Sequence, residues 1–275
     1  MARAIHLIAF ALIAGGGAAP LAQDRLPIYD THLHYSRDAW SAFPPPQIVA
    51  LLDGAGVTRA LVSSTPDDGS LILVRAAPNR FVPILRPYRE GANPSNWFND
   101  PGMVEYLEAR LKAGTYRGIG EFHLYDAGAV ATPTVRRVVA LAVERDIVVH
   151  VHSGAEPVKA LFALDPKLKV LWAHAGMSEP PEIVGPMLDR HAALWTEVSF
   201  RAGDIAPGGN LAPAWRDLLL RYSERIMVGT DTYVTARWHD YAGLIEQHRG
   251  WLGQLPREPA EAIAWRNATR LFAPR

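Results

Sequence analysis

The stretch Asp30–His34, with the sequence DTHLH, closes the first predicted β-strand of the chain, Pro27–His32. Alternate residues of a strand point to the same face, so the side chains of His32 and His34 can reach one ion together. An HxH pair alone is weak support for a metal site, because half-buried histidine pairs also occur without metal. Whether this pair indicates a metal site therefore depends on the residues at the ends of the other predicted strands.

Seven more short apolar or β-branched runs predict strands, and longer amphipathic stretches between them predict helices. The predicted strands are Arg59–Ser63, Phe81–Arg86, Gly118–Phe122, Ile147–His152, Val170–His174, Leu194–Ser199 and Ile226–Thr230. The predicted helices include Gln47–Ala55, Met103–Ala113, Thr134–Arg145, Leu211–Tyr222, Tyr241–Trp251 and a last one near Pro259–Phe272, packed on the outside. Such alternation is typical of parallel βα units.

Eight strand–helix units without a linker predict one α/β domain, a closed (β/α)8 TIM barrel of roughly 250 residues with an extra C-terminal helix. An open doubly wound sheet is the alternative. That fold calls for a glycine-rich phosphate loop after the first strand, and the chain has none there. The sequence therefore favours the barrel, over residues 23–275.

Residues 1–22 have the pattern of a secretory signal peptide. Arg3 precedes an apolar run over Ile5–Ala14, and small residues follow at positions 15–19. A retained membrane anchor is the alternative, but the apolar run is shorter than the about 20 residues that span a bilayer. The pattern predicts a periplasmic or secreted protein, cleaved between Ala18 and Ala22.

The composition excludes several classes of protein. The chain has 275 residues, 28 basic and 28 acidic side chains and no cysteine. A net charge of zero argues against a nucleic-acid partner, and without cysteine a thiolate nucleophile or a zinc finger is excluded. Any metal must be bound by His, Asp, Glu or a modified Lys. We expect a small-molecule substrate and no membrane contact after signal removal; a homo-oligomer is compatible with these features.

Histidines and carboxylates recur at the carboxyl ends of four more predicted strands. They are Glu121 in GIGEF, His150 and His152 in HVHSG, His174 in AHAG and Asp231 in GTD. In a parallel barrel these strand ends converge on the face that carries the active site. Imidazoles and carboxylates at convergent points predict a divalent-metal site with a position left for water.

With these motifs the chain resembles the amidohydrolase superfamily, in particular its amidohydrolase-related branch, over the whole mature length. The carrying motifs are DTHLH, HVHSG, AHAG and GTD, together with the terminal Asn267–Phe272. The resemblance implies a metal site, and the ligands it implies are His32, His34, His152, His174 and Asp231. His150 is interpreted as a deeper packing or supporting residue.

The fourth strand bears on the number of ions. Many relatives place a carbamylated lysine there, whereas this chain has Glu121. The resemblance implies one ion, with a second held through Glu121 as an alternative; a purely supporting role for Glu121 is the other interpretation. Zinc is the expected metal and manganese the alternative. Asp231 and His174 are the implied catalytic residues, Asp231 as the group that moves protons.

Four further side chains near strand ends are candidates for substrate binding. Arg86 and Tyr88 end the third strand, Arg117 precedes the fourth, and His123 repeats the parity of Glu121. An arginine suits a carboxylate or phosphate group, although barrel arginines also pair with buried acids.

A polar loop over Tyr88–Asp100 carries Trp97, which is predicted to be exposed, and the loop is either a substrate lid or a plain connection. His191, His239 and His248 are predicted to lie at the surface.

These features favour a metal-dependent hydrolase in which water activated by the ion attacks an amide, lactone or ester bond of a small molecule. A metal-dependent decarboxylase of an aromatic or unsaturated carboxylic acid is the first alternative, because the amidohydrolase-related branch includes such enzymes. A non-catalytic binding protein on the same scaffold is the second, and it predicts missing ligands. The chain has no G-x-S-x-G, P-loop or dinucleotide motif.

Overall fold

The computed structural model describes residues 25–89, 92–112 and 114–273, so the predicted signal peptide lies outside the described residues. Eight strands appear in this part of the chain, each near its predicted position. They are β1 (Ile28–His34), β2 (Val57–Ser63), β3 (Phe81–Ile84), β4 (Gly118–His123), β5 (Val148–His152), β6 (Lys169–Trp172), β7 (Leu194–Glu197) and β8 (Ile226–Met227).

Helices fill the connections between the strands. They are α1 (Arg37–Trp40), α2 (Pro45–Gly54), α3 (Asp68–Ala76), α4 (Met103–Leu111), α5 (Pro133–Glu144), α6 (Ala155–Leu164), α7 (Pro181–Arg190), α8 (Ala202–Ile205), α9 (Pro213–Arg221), α10 (Thr235–His239), α11 (Tyr241–Leu252), α12 (Arg257–Glu261) and α13 (Asn267–Leu271). A π turn, Ala262–Arg266, joins the last two, and 3-10 turns occupy Trp97–Asn99, Ala127–Ala131, Ala173–Ala175 and Pro207–Gly209.

All strand pairs are parallel, and they follow the order β1-β2-β3 in one sheet and β4-β5-β6-β7-β8 in another. Backbone hydrogen bonds join the two sheets at both seams. The N–H of Leu85 donates to the carbonyl of Gly118 at 3.0 Å, and the N–H of Thr31 donates to the carbonyl of Val228 at 2.9 Å. The predicted parallel α/β barrel is confirmed.

The interior of the barrel is apolar at the amino ends of the strands. Its buried side chains come from six strands and from the terminal helix: Tyr29, Leu61, Val82, Ile84, Val148, Leu171, Met227, Ala268 and Phe272. The terminal helix was predicted to pack on the outside, but its Ala268 and Phe272 join this interior cluster. Because apolar side chains fill this half, the polar side chains of the strands collect at the opposite, carboxyl end.

A second and larger apolar cluster lies between the strands and the surrounding helices. Helix α5 illustrates its origin, since Val135, Val138 and Leu141 recur at helical spacing and are buried, whereas Arg136 is exposed. Among residues 25–89, 92–112 and 114–273, no helix is both long and apolar enough to cross a membrane.

Candidate metal centre

Two strands and the segment after a third bring two imidazoles and two carboxylates together at the carboxyl end of the barrel, and each carboxylate lies close to both imidazoles. His32 and His34 come from β1, Glu121 from β4 and Asp231 from the segment after β8. The Nε2 atoms of the two histidines lie 3.1 Å apart. Oε2 of Glu121 lies 3.4 and 3.2 Å from these nitrogens, and Oδ1 of Asp231 lies 3.6 and 3.2 Å from them. We call these four side chains the first donor set.

A second donor set shares Glu121 with the first. Oε1 of Glu121 lies 2.9 Å from Nδ1 of His152, at the end of β5, and 3.6 Å from Nε2 of His174, which follows β6. The nitrogens of His152 and His174 are 3.2 Å apart. Because one oxygen of Glu121 faces each set, this carboxylate connects all the candidate ligands.

Two of the histidines are held by hydrogen bonds on the ring nitrogen that faces away from the donor sets. Nδ1 of His34 donates to the carbonyl of Ser63 at 3.0 Å, and Nδ1 of His174 contacts the hydroxyl of Ser199 at 2.7 Å. Metal-binding histidines are commonly oriented in this way by a partner on the second nitrogen. The pattern points Nε2 of both rings toward the donor sets.

Glu197, the last residue of β7, orients a third histidine. Its Oε1 accepts hydrogen bonds from Nδ1 of His32 at 2.9 Å and from the backbone N–H of His174 at 2.7 Å. Its Oε2 accepts from the backbone N–H of Ser199 at 2.7 Å. Burial raises the pKa of Glu197, but the interactions with His32 outweigh burial and lower that pKa below its usual range. The carboxylate is therefore charged and holds the ring of His32.

Glu197 was not among the predicted site residues. A signal was present, because Glu197 is a carboxylate close to the end of its predicted strand, as Glu121 is in the fourth strand. Only the three-dimensional structure distinguishes its role, since Glu197 bonds to Nδ1 of His32 and lies behind the ring.

A bulge in β4 aims Glu121 at the centre. The register of β4 against β5 shifts between Gly120 and Phe122, which leaves Glu121 as the extra residue. Gly120 has a φ of 137°, and a Cβ there would lie 2.1 Å from the carbonyl oxygen of His150. Only glycine fits this conformation and this close approach.

The first donor set has the dimensions of a metal site. Zinc bonds of about 2.0–2.2 Å in a tetrahedron place ligand atoms about 3.3–3.6 Å apart. The five distances among His32, His34, Glu121 and Asp231 given above range from 3.1 to 3.6 Å. Oδ1 of Asp231 is also buried and has no hydrogen-bond partner. These residues fit a divalent cation.

Electrostatics favour a positive charge at the same place. Burial lowers the pKa of His32, but the carboxylates of Asp231, Glu121 and Glu197 outweigh burial and raise that pKa well above its ordinary value. With Nδ1 of both rings donating to the protein, the neutral forms of His32 and His34 have lone pairs that face each other at 3.1 Å. Such lone pairs repel unless a proton or a metal ion lies between them.

His150 lies beneath the donor sets and contributes no atom to them. Its ring packs edge-on against that of His32, with the ring centroids 4.5 Å apart. Burial lowers the pKa of His150 well below its usual value. Of the two histidines in HVHSG, the structure therefore brings His152 to the donor sets and places His150 as a packing partner.

A cavity of about 360 Å³ opens onto both donor sets. This volume lies at the lower end of the range of about 300–1,000 Å³ found for small-molecule sites. The cavity is lined by Glu121, His152, His174, Asp231, Arg86, Pro94, His123, Met177, Phe200 and Tyr233.

Two of the four predicted substrate-binding residues reach this cavity. Arg86 lines it, and the NH2 group of Arg86 lies 3.1 Å from Oε2 of Glu121. His123 also lines it and stacks on His152, with ring centroids 4.1 Å apart. Burial lowers the pKa of His123 to about 3, so its imidazole is neutral.

The other two residues do not reach the cavity, and their predicted contact with substrate is corrected. Tyr88 is buried and does not line the cavity; its hydroxyl accepts from the backbone N–H of His123 at 3.0 Å and bonds Nδ1 of that ring at 2.7 Å. Arg117 precedes β4, at the amino end of the barrel, and donates to the carbonyl of Ala273. The positions of Tyr88 and Arg117 next to predicted strands did not reveal where in the barrel each side chain would lie.

Two predictions of exposure were also wrong. Trp97 is fully buried, and its indole N–H donates to the carbonyl of His123 at 2.9 Å. His248 is buried in α11, and its Nε2 bonds the carbonyl of Gly229 at 2.8 Å. Both residues support the backbone of segments that carry site residues.

Replacing Glu197 tests whether it positions His32 for metal binding. We expect Glu197→Gln to weaken zinc binding by about 10- to 100-fold, because a neutral amide cannot replace the carboxylate that orients the ring. The dissociation constant for zinc is measured by competition with a chromogenic chelator. Glu182→Gln, at an exposed position of α7, is the matched control and should leave it unchanged. An unaltered constant in Glu197→Gln would contradict the positioning role.

Solved structures with the same fold come from several bacteria. A putative 2-pyrone-4,6-dicarboxylic acid hydrolase from Pseudomonas putida matches with a TM-score of 0.62 and 17% identity, over 90% of this chain and 98% of that one. The 5-carboxyvanillate decarboxylase from Sphingomonas paucimobilis matches with a TM-score of 0.59 and 15% identity, over 90% and 99%.

A third similar structure is the 5-carboxyvanillate decarboxylase from Novosphingobium aromaticivorans, complexed with manganese and 4-hydroxy-3-methoxy-5-nitrobenzoic acid. Its TM-score is 0.58 and its identity 12%, over 90% of this chain and 96% of that one. At these identities the likeness concerns the fold.

Sequence comparison decides the family. No curated protein matches the chain significantly. A family model described as Amidohydrolase, however, matches residues 29–273, which span the barrel from β1 to the end of the terminal helix. With the parallel barrel and the histidine and carboxylate cluster at its strand ends, this match confirms that the chain belongs to the amidohydrolase family and is one of its enzymes.

Proposed function

We propose that this enzyme hydrolyses an amide, lactone or ester bond of a small molecule with the help of one or two divalent cations. The observation that carries the proposal is that Glu121 contacts histidines of both donor sets and lines one small cavity together with Asp231, His152 and His174. Each ligand position that the family resemblance implies holds a suitable side chain. The alternative of a binding protein that has lost its ligands is therefore set aside.

The proposed ligands fall into two groups. His32, His34, Glu121 and Asp231 would hold the first ion, and Glu121 with His152 and His174 would hold a second. When bound, such an ion lowers the pKa of coordinated water and polarises the bond under attack. We propose zinc, which imidazole ligands suit, with manganese as the alternative that carboxylates also accommodate. Manganese in the Novosphingobium decarboxylase supports that alternative.

Asp231 is proposed to carry the proton during hydrolysis. It lines the cavity, and Oδ1 has no hydrogen-bond partner. The carboxylate can accept the proton from attacking water and pass it to the leaving group. His174, across the cavity floor, either holds the second ion or polarises the substrate; its Nε2 lies 3.8 Å from Oδ2 of Asp231.

His123 is proposed to donate a hydrogen bond to the substrate. The hydroxyl of Tyr88 accepts from the backbone N–H of His123, so its own proton points to Nδ1 of that ring. A neutral imidazole whose Nδ1 accepts a hydrogen bond carries its proton on Nε2. Tyr88 therefore positions His123 as a donor, although Tyr88 itself does not line the cavity.

Metal content and activity together test the proposal. We expect the purified enzyme, resupplied with zinc or manganese, to retain one or two ions per chain in elemental analysis. Removing them with dipicolinate should lower kcat/KM on a responsive lactone, amide or ester by at least about 100-fold, and the metal should restore it. The proposal fails if the protein retains no ion, or if the chelator leaves turnover unchanged.

A metal-dependent decarboxylase is the second candidate. Arg86 favours it, because its guanidinium lies at the cavity beside Glu121, where it could hold a carboxylate. The two functions differ in their products. Release of carbon dioxide from aromatic carboxylates, with no turnover of amides, esters or lactones, would establish the decarboxylase.

We also propose that the mature enzyme is exported. The charged, apolar and small-residue segments of residues 1–22 support this, and they lie outside the described residues. Sequencing the amino terminus of the protein from a periplasmic or culture fraction tests it. A chain that keeps Met1 and remains in the cytoplasm would contradict export.

A further inference from the structure

Three large apolar side chains stand at the mouth of the cavity and are exposed to solvent. Met177, Phe200 and Tyr233 line the cavity, yet 41%, 46% and 54% of their surface is exposed. We call them the apolar collar. Scattered exposed apolar residues are ordinary, but grouping around a cavity that holds candidate ligands marks a binding surface.

Each collar residue closely follows a residue of the candidate site in the sequence. Met177 follows His174 by three residues, and Tyr233 follows Asp231 by two. Phe200 follows Glu197 by three, and its ring packs edge-on against that of His174 with centroids 5.7 Å apart. The segments after β6, β7 and β8 therefore each place one apolar side chain beside the reacting position.

Two of the three collar residues have an unfavourable backbone conformation. Met177 has a φ of 62° and Phe200 a φ of 63°, in the left-handed region that side chains other than glycine seldom adopt. A large part of both side chains nevertheless stays exposed to solvent. A strained backbone that holds apolar side chains partly exposed beside a cavity is typical of a site built for a ligand.

Phe200 is also held in place by neighbouring side chains. The guanidinium of Arg237 lies 4.1 Å from the centre of its ring and donates to the carbonyls of Thr230 and Asp231 at 2.7 Å each. The centroid of the Tyr233 ring lies 6.0 Å from that of Phe200. An apolar ligand therefore meets a preformed wall, which reduces the entropy lost on binding.

The charges around the cavity limit the ligand further. Arg86 is the one cationic side chain among its described lining residues. Its NH2 and Nε contact Oε2 and the backbone carbonyl of Glu121, each at 3.1 Å, and its NH1 contacts the hydroxyl of Thr65 at 3.5 Å. Glu121 and Asp231 contribute negative charge. One anionic group on the substrate would have to share Arg86 with Glu121, and a second would find no further cation among the described lining residues.

We infer, on the basis of the proposed function, that the substrate carries an apolar body next to the reacting bond and at most one anionic group. Met177, Phe200 and Tyr233 bind that body and determine the specificity. Arg237 acts through Phe200 as a positioning residue.

Binding of matched hydroxamates to the zinc-loaded enzyme tests this inference without requiring turnover. Acetohydroxamate and benzohydroxamate share a metal-binding head and differ in the apolar body. By calorimetry we expect benzohydroxamate to bind at least about tenfold more tightly, through contact with the collar. Phe200→Ala and Tyr233→Ala should each weaken benzohydroxamate by about tenfold and change acetohydroxamate by less than about twofold.

Two controls complete the experiment. Ile183→Ala removes an apolar side chain of similar exposure, 40%, on α7 and away from the cavity, and should change neither affinity. 3-Carboxybenzohydroxamate adds one negative charge and should bind at least about fivefold more weakly than benzohydroxamate.

The possible failures can be told apart. If both hydroxamates bind equally, or the collar variants leave their ratio unchanged, the collar has no role in specificity and the inference is overturned while the metal site stands. Tighter binding of the 3-carboxy compound overturns the limit on charge. If zinc is not retained, or neither hydroxamate binds, the proposed function is overturned together with the inference.

Discussion

Asp231→Asn is expected to lower kcat by about 100- to 10,000-fold while zinc stays bound. The amide keeps the size of the side chain and an oxygen that can face the ion, but it cannot accept a proton. His32, His34 and Glu121 remain to hold the metal, since their facing atoms lie 3.1–3.4 Å apart without any contribution from Asp231. Turnover on the best substrate of the activity screen and zinc content on the same sample provide the measurement.

Asp217→Asn makes the same chemical change at an exposed position of α9 and should alter neither quantity. Near-full turnover in Asp231→Asn would remove the proton-carrying role. Parallel loss of zinc and turnover would show instead that Asp231 acts as an indispensable ligand, and the proposed division of labour would be wrong.

Glu121→Gln is expected to weaken metal binding more than Glu197→Gln does. Its carboxylate faces both donor sets, at 3.2 Å from Nε2 of His34 and 2.9 Å from Nδ1 of His152. The exchange also leaves Arg86 without its buried negative partner, and an unpaired guanidinium repels a nearby cation. We expect zinc affinity to fall by at least about 100-fold, beyond the effect of losing a supporting residue.

Zinc titration with a competing chelator measures this effect, and thermal unfolding checks that the variant remains folded. Glu182→Gln again serves as the matched control. If zinc affinity stays within about twofold of the wild type, Glu121 is no ligand and serves only as the ion-pair partner of Arg86, the supporting role that the sequence also allowed.

Much of the fold was predictable from short-range patterns. Each strand is a brief apolar run bounded by turn residues, so β1 through β8 appear near their predicted places. The terminal helix shows what such patterns cannot predict. The position of Phe272 fits a helix that packs on an apolar surface. Only the tertiary structure shows that this surface is the interior of the barrel at its amino end, where Phe272 packs with Tyr29.

The candidate site was likewise predictable from the sequence only in part. HxH spacing and strand-end positions predicted that one end of the barrel gathers His32, His34, Glu121, His150, His152, His174 and Asp231, because a parallel sheet brings its carboxyl ends together whatever the details. The choice of His152 over His150 rested on the family resemblance. Tyr88 and Arg117 were misplaced because the direction of a side chain near a strand end depends on local backbone conformation. Glu197 was missed because a residue that bonds the far nitrogen of a histidine ring has no fixed distance from that histidine in the sequence.

From its amino-acid order alone, this chain is predicted to be a parallel α/β barrel with histidines and carboxylates at one end, and its motifs resemble those of the amidohydrolase superfamily. The barrel and its polar strand ends follow from local periodicity and from the rule that parallel strands end together. The tertiary structure alone decided that Glu121 faces both donor sets, that Glu197 orients His32 and that Phe200 stands over the cavity. These depend on a bulge at Gly120, on contacts between residues far apart in the chain and on left-handed backbone angles, none of which a local pattern encodes.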